Sequence, residues 1–113
     1  MTLKNYLTAA VVLLSHHSAF AEDFQPKIAA HLVPTNAVLK ISETRTATNA
    51  QGRSVQVVCG IVSARPDPNH FASSAFAYVI DDDKLWLSWK AEWLKEPPQE
   101  MGVVRVMRYC PGN

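Results

Sequence analysis

The side chains that could do chemistry in this chain are few: Cys59 and Cys110, His31 and His70, the acidic run Asp81-Asp82-Asp83, and Asp67 three residues before His70. An imidazole beside a carboxylate is half of a general-base pair or part of a metal site, which makes Asp67 and His70 the candidates for a hydrolytic or metal-dependent reaction. The pair lacks its companions. No GxSxG, SxxK or HExxH motif and no glycine-rich phosphate loop occurs. A surface role for both histidines is therefore favoured, no catalytic residue is assigned, and no cofactor or metal is expected. The acidic run lacks the spaced oxygens, central glycine and closing glutamate of a calcium loop, and reads as a solvated turn.

The two cysteines allow four roles: reactive thiol, metal ligand, buried spectator or half of a bridge. Cys59 stands among valines, glycine and isoleucine, apolar neighbours that raise a thiol's pKa and make a poor nucleophile. No CxxC accompanies either residue, so neither a zinc spacing nor a redox motif is present. An even count in an exported chain favours a Cys59–Cys110 disulfide, with a free buried thiol as the competitor. Closing a loop of about 50 residues would contribute on the order of 4 kcal/mol in the chain-entropy account.

Trp86, Trp89 and Trp93 crowd the carboxy-terminal half. Large rings build small cores, so at least two of the three are expected inside, Trp89 foremost because it extends the Leu85-Leu87 face. An exposed Trp86 or Trp93 would mark a binding surface, since an uncovered ring stacks on a sugar or anchors a protein partner.

The elements that must position these residues follow from patterning. Residues 1–21 read as a secretory signal: Lys4 near the amino end, an apolar run over residues 7–14, and Ala19-Phe20-Ala21 as an A-x-A cleavage site. The run is too short to span a bilayer, which takes about 20 residues. What remains, residues 22–113, is one small domain, and no membrane span is expected in it. The whole chain has eleven Lys and Arg against ten Asp and Glu, and loss of Lys4 leaves them equal. A neutral total argues against nucleic acid or an anionic membrane as partner.

Residues 22–33 are loosely helical through Phe24, Ile28, Ala29 and Leu32, and Pro34 ends them. Val38–Thr48 and Ser54–Arg65 read as a hairpin around Asn49-Ala50-Gln51-Gly52. In the second strand Val55, Val57, Cys59 and Ile61 share one face, and Val58, Gly60, Val62 and Ala64 the other, so both sides are expected to be covered, with Gly60 marking a bulge or a close approach. Pro66-Asp67-Pro68-Asn69 forms a loop, residues 71–80 a strand, Asp81 to Lys84 a turn, and residues 85–89 a short strand. Residues 90–96 suit a helical turn. Residues 100–110 fit a helix opened by Pro98, with Met101, Val104, Met107 and Cys110 on one face, or a strand; the helix is favoured.

The stretch Val57-Val58-Cys59-Gly60-Ile61-Val62-Ser63-Ala64-Arg65 resembles the VCGxVxAK segment of a group of small exported bacterial proteins. In that group a helix ending in an L-x-D-P-x-S-A-like stretch precedes the strand, and a second cysteine lies near the carboxy end. Leu32-Val33-Pro34-Thr35-Asn36-Ala37 and Arg108-Tyr109-Cys110 hold the corresponding places. Ser63 stands where the group has Asn, and Pro66-Asp67-Pro68-Asn69-His70 stands where it has a glycine-tyrosine stretch. The resemblance implies an α+β domain with a Cys-Cys bridge and implies no activity.

The expectation is thus an α+β domain, a small antiparallel sheet of three to four strands with a short helix at each end and one disulfide, located in the periplasm or secreted. Its expected work is non-enzymatic binding of a protein or envelope component, with Trp86, Trp93, His70 and Asp67 as candidate contacts. The alternatives are a small hydrolase built on His70 and Asp67, and an inhibitor or accessory subunit of an envelope partner. Nothing in the residues specifies an oligomeric state.

Overall fold

A computed structural model describes residues 24–112 of the chain. The secretory signal expected over residues 1–21 lies outside the described residues. Helix α1 covers residues 24–29 and buries Phe24 and Ile28, one turn apart, with Leu32 following on the same side. Four strands follow: β1 (Val38–Thr48), β2 (Ser54–Asp67), β3 (His70–Val79) and β4 (Lys84–Leu87). They pair in chain order, each antiparallel to the next, as a meander. A 3-10 turn, η1 (Ala91–Trp93), and helix α2 (Gly102–Tyr109) complete the domain. The expected α+β architecture is the observed one.

Local chemistry explains each corner. At the β1–β2 turn Asn49 Oδ1 accepts the backbone N–H groups of Gln51 and Arg53, and Gly52 takes φ 80°, a left-handed conformation that glycine adopts without steric cost. Gly60 is required by close approach: a Cβ there would collide with the Lys40 carbonyl and the Phe76 ring. Opposite it the β1 register shifts between Ile41 and Glu43, and Ser42 in the bulge donates its hydroxyl to the Cys59 carbonyl at 3.0 Å. β2 runs past Arg65 to Asp67, so the expected four-residue loop shrinks to a tight turn at Pro68-Asn69.

Strand alternation divides the buried residues into two layers. On the α1 side Val58, Val62, Phe76, Tyr78, Leu85 and Leu87 pack with Phe24, Ile28, Trp93 and Leu94. On the α2 side Val55, Val57, Cys59, Ala77, Val79 and Trp86 pack with Val106, Tyr109 and Cys110. Cys59 and Cys110 are joined, with Cα atoms 5.8 Å apart. The bridge ties the central strand to the end of α2.

Three expectations about facing are corrected. α2 forms as expected but buries Val106 and Tyr109, leaving Met101, Val104 and Met107 exposed. The reason is a close contact at its start: Gly102 sits against the Leu87 carbonyl where no Cβ would fit, which turns the helix so that the Gly102, Val106, Tyr109 line meets the sheet. Ile61 is 45 % exposed because α2 covers the Cys59 end of that face and leaves the Ile61 end bare. Trp89, expected innermost, is 63 % exposed. β4 stops at Leu87, and the alternation that would have carried Trp89 inward stops with it.

Candidate functional site

Asp67 and His70 meet as their spacing suggests. They pair across the tight β2–β3 turn, and His70 Nδ1 lies 2.6 Å from each carboxylate oxygen of Asp67. An ionised carboxylate only accepts, so Nδ1–H donates and Nε2 is the nitrogen left for a ligand. Asp67 Oδ1 also accepts the Asn69 N–H at 2.9 Å, an Asx turn that holds the carboxylate in place before any ligand arrives. Both side chains are well exposed.

The pair forms one wall of an open cleft of about 610 Å³, a size usual for ligand sites. Val33 to Asn36, the segment after α1, makes a second wall, and it is latched to the end of β2 by a 2.6 Å hydrogen bond from Asn36 Nδ2 to the Arg65 carbonyl. The third wall comes from the other end of the sheet's path, Lys90, Glu92 and Trp93. Lys90 adopts φ 60°, left-handed for a residue with a full side chain, where the chain leaves Trp89 for η1. Its Nζ is 3.9 Å from Glu92. The Trp89 backbone is held beside the cleft by Ser74, whose buried hydroxyl accepts the Trp89 N–H at 3.0 Å and lies 3.1 Å from the Trp89 carbonyl. The cleft therefore offers an imidazole, two carboxylates, an amide and one ammonium beside the apolar lining of Ala72, Pro34, Pro66 and Trp93.

Of the sequence candidates, Asp67 and His70 come together in this cleft. Trp93 reaches it only as part of a buried wall, and Trp86 is buried on the opposite side of the sheet. Trp86 lies instead under two cations, Lys84 Nζ at 4.6 Å and Arg105 at 5.4 Å from the ring centre, a clamp between β4 and α2. Arg105 in turn bonds Glu100 through Nε at 2.7 Å, which raises its already high pKa. The exposed tryptophan is Trp89.

A second histidine–carboxylate pair was not legible in the sequence. His31 Nε2 donates to Asp83 Oδ1 at 2.9 Å across 52 positions of chain, and the buried Tyr78 hydroxyl donates to the same oxygen at 2.6 Å. These two donors, Tyr78 foremost, hold the Asp83 carboxyl below the usual carboxylate range. Burial, then the facing carboxylate, pushes the Tyr78 phenol well above its ordinary value. Asp83 takes φ 48° to reach both donors, a left-handed conformation that Asp tolerates better than most residues. Asp81 is also committed, its Oδ1 accepting the Gln56 N–H at 2.8 Å. Asp81 and Asp83 thus fasten the β3–β4 turn. Its only advance signal was the turn preference of Asp.

Among the described residues no group of three or more His, Cys, Asp and Glu side chains is placed to hold a metal ion, and no helix is long and apolar enough to cross a membrane. No family model, no curated protein and no solved structure matches this chain.

Proposed function

We propose that the protein is an exported, disulfide-stabilised binding domain of the bacterial envelope and that it takes its partner at the Asp67–His70 cleft, with the exposed Trp89, next in the chain to the cleft residue Lys90, as an anchor. The observation that carries the reading is the concentration of unsatisfied binding chemistry at one end of the sheet. There, His70 keeps a free ring nitrogen, Trp89 and Val33 are exposed, and Ser74 spends a buried hydroxyl to hold the Trp89 backbone in place. An exposed ring carried on backbone that is already held in place has less chain entropy to lose on binding. The signal-like residues 1–21 and the bridge between Cys59 and Cys110 support an oxidising, exported location.

The experiment is affinity capture from the exported fraction with the wild-type protein and with the Trp89→Ala and His70→Ala variants. A partner retained by the wild type and lost by at least about tenfold with Trp89→Ala, the loss usual for a central anchor residue, supports the reading. A partner retained equally by all three proteins places binding elsewhere and overturns it.

A hydrolytic reading rests on one specific observation, the oriented imidazole of His70 with Nε2 uncommitted to Asp67. Such a pair activates water or a hydroxyl in enzymes that supply the remaining groups. Turnover of ester or peptide substrates by the wild type that disappears in His70→Ala and Asp67→Asn would favour it over binding alone.

A further inference from the structure

We infer that the α2 side of the sheet is a docking surface for an anionic lipid bilayer. The balanced total charge of the chain conceals a segregation by side. Strand pairing places Lys40, Arg45 and Lys84 on the face that carries α2, Arg65 stands over the Phe71 ring at the end of that face, and α2 itself adds Arg105 and Arg108, six cations against the two anions Glu43 and Glu100. The other charged residues described are four cations, Lys27, Arg53, Lys90 and Lys95, against six anions, Asp67, Asp81, Asp82, Asp83, Glu92 and Glu96. What an anionic surface meets is the local field, and the Debye length of about 10 Å at 0.1 M salt screens the opposite side of the sheet from it.

The same side carries most of the exposed large apolar residues. On the bare end of the sheet Val38, Ile61 and Phe71 are 66, 45 and 64 % exposed, and on α2 Met101, Val104 and Met107 are 71, 56 and 66 % exposed. At 100° per residue, Val104 lies opposite the buried Val106–Tyr109 line, with Met107 and Arg108 flanking it. Cations are interleaved with these side chains: Arg65 lies 5.7 Å from the Phe71 ring centre, and Lys40 is the cross-strand partner of Ile61. A shallow hollow of about 520 Å³ beside α2 is lined by Ala50, Met101 and Val104 together with Arg105, Arg108 and Glu100.

Charge complementarity decides the occupant. An anionic bilayer presents phosphates above an apolar layer, and this side presents basic groups around apolar side chains that project from a helix ridge and an open strand face. An acidic protein would need apolar pockets shaped to the projecting methionines and Phe71, whereas the fluid acyl layer of a bilayer takes them up without a specific fit. The surface is separate from the Asp67–His70 cleft, so either proposal can fail alone.

Co-sedimentation of the protein, purified from the exported fraction, with vesicles of phosphatidylglycerol and phosphatidylcholine at about 3:7, against phosphatidylcholine alone, tests the inference. The expected result is a preference of about tenfold or more for the anionic vesicles at low salt, falling steeply as ionic strength rises. The double variant Arg65→Glu, Arg108→Glu should remove the preference, and Phe71→Ser, Met107→Ser should weaken binding by about fivefold, with the near-ultraviolet circular dichroism of both unchanged. Equal binding to the two vesicles, no binding to either, or binding indifferent to both double variants overturns it. So does binding of soluble polyglutamate on this face in the absence of vesicle binding, which would assign an acidic protein as the partner.

Discussion

Two histidine–carboxylate pairs stand at opposite ends of β3, on chemically similar footing and in different service. At one end His70 and Asp67 are three residues apart, hydrogen-bonded at 2.6 Å and open to a cleft. At the other, His31 and Asp83 come from the segment after α1 and the β3–β4 turn, and a buried tyrosine shares the carboxylate. The difference lies in what stands behind each carboxylate. Behind Asp83 is Tyr78, 1 % exposed in the core, so the pair fastens a turn and the segment after α1 to the packed sheet. Behind Asp67 is only its own turn, through the Asn69 N–H, so the pair is held in shape and fastens nothing. A histidine and a carboxylate in contact are therefore not in themselves a site; the group behind them separates a clasp from a hand.

The sheet that joins the two corners is the premise of the comparison, and cutting its covalent tie should have the largest effect. Cys59→Ala is expected to lower unfolding free energy by about 2–5 kcal/mol, read from the shift of the denaturant midpoint at unchanged slope. A much smaller loss would mean that α2 is held by Val106 and Tyr109 without help. Next in size is Tyr78→Phe, which leaves packing almost intact and removes one hydrogen bond to an ionised acceptor. A loss of about 1 kcal/mol is expected by thermal unfolding. No measurable loss would erase the distinction between the corners.

Acid should single out the fastening. Asp83 has a folded pKa below its unfolded value near 3.9, so its contribution is present above that value and lost as pH falls through the folded one. Asp83→Asn, which keeps the left-handed turn accessible, should therefore cost stability at neutral pH and flatten the decline seen below about pH 4. An acid limb identical to wild type would show that the two donors do not favour the charged form. The smallest stability change is expected for His70→Ala, within about 0.5 kcal/mol of wild type, as for other exposed positions. A large drop there would make the cleft pair a second clasp.

How much of this was readable beforehand depends on whether the controlling contact was local. The β1–β2 hairpin, the Pro-rich turn, the acidic turn and the Asp67–His70 contact are settled by residues within about five positions of each other, where turn chemistry acts. The Cys59–Cys110 tie spans the domain but was legible because only two cysteines were present to pair. His31 with Asp83 was not, since nothing in either local sequence encodes a partner 52 positions away. The face of α2 departs from its apolar pattern for a related reason. Met101, Val104 and Met107 are the more apolar stripe, yet the Gly102–Leu87 approach and the bridge at Cys110 turn the helix the other way. Trp89 lies outside because β4 ends two residues short of it, and strand ends are set by pairing rather than by the residues alone.

The division of labour between the two corners is tested most directly by a photo-crosslinking amino acid at position 35, an exposed position in the cleft wall that leaves Trp89 and His70 in place, with partner yield measured in that background and with His70→Ala or His31→Ala added. The account predicts that His70→Ala abolishes the crosslink while leaving the melting temperature in place, and that His31→Ala lowers the melting temperature while leaving the crosslink at temperatures where the protein is folded. Equal crosslinking in the His70→Ala background, or its loss only with His31→Ala, would contradict it.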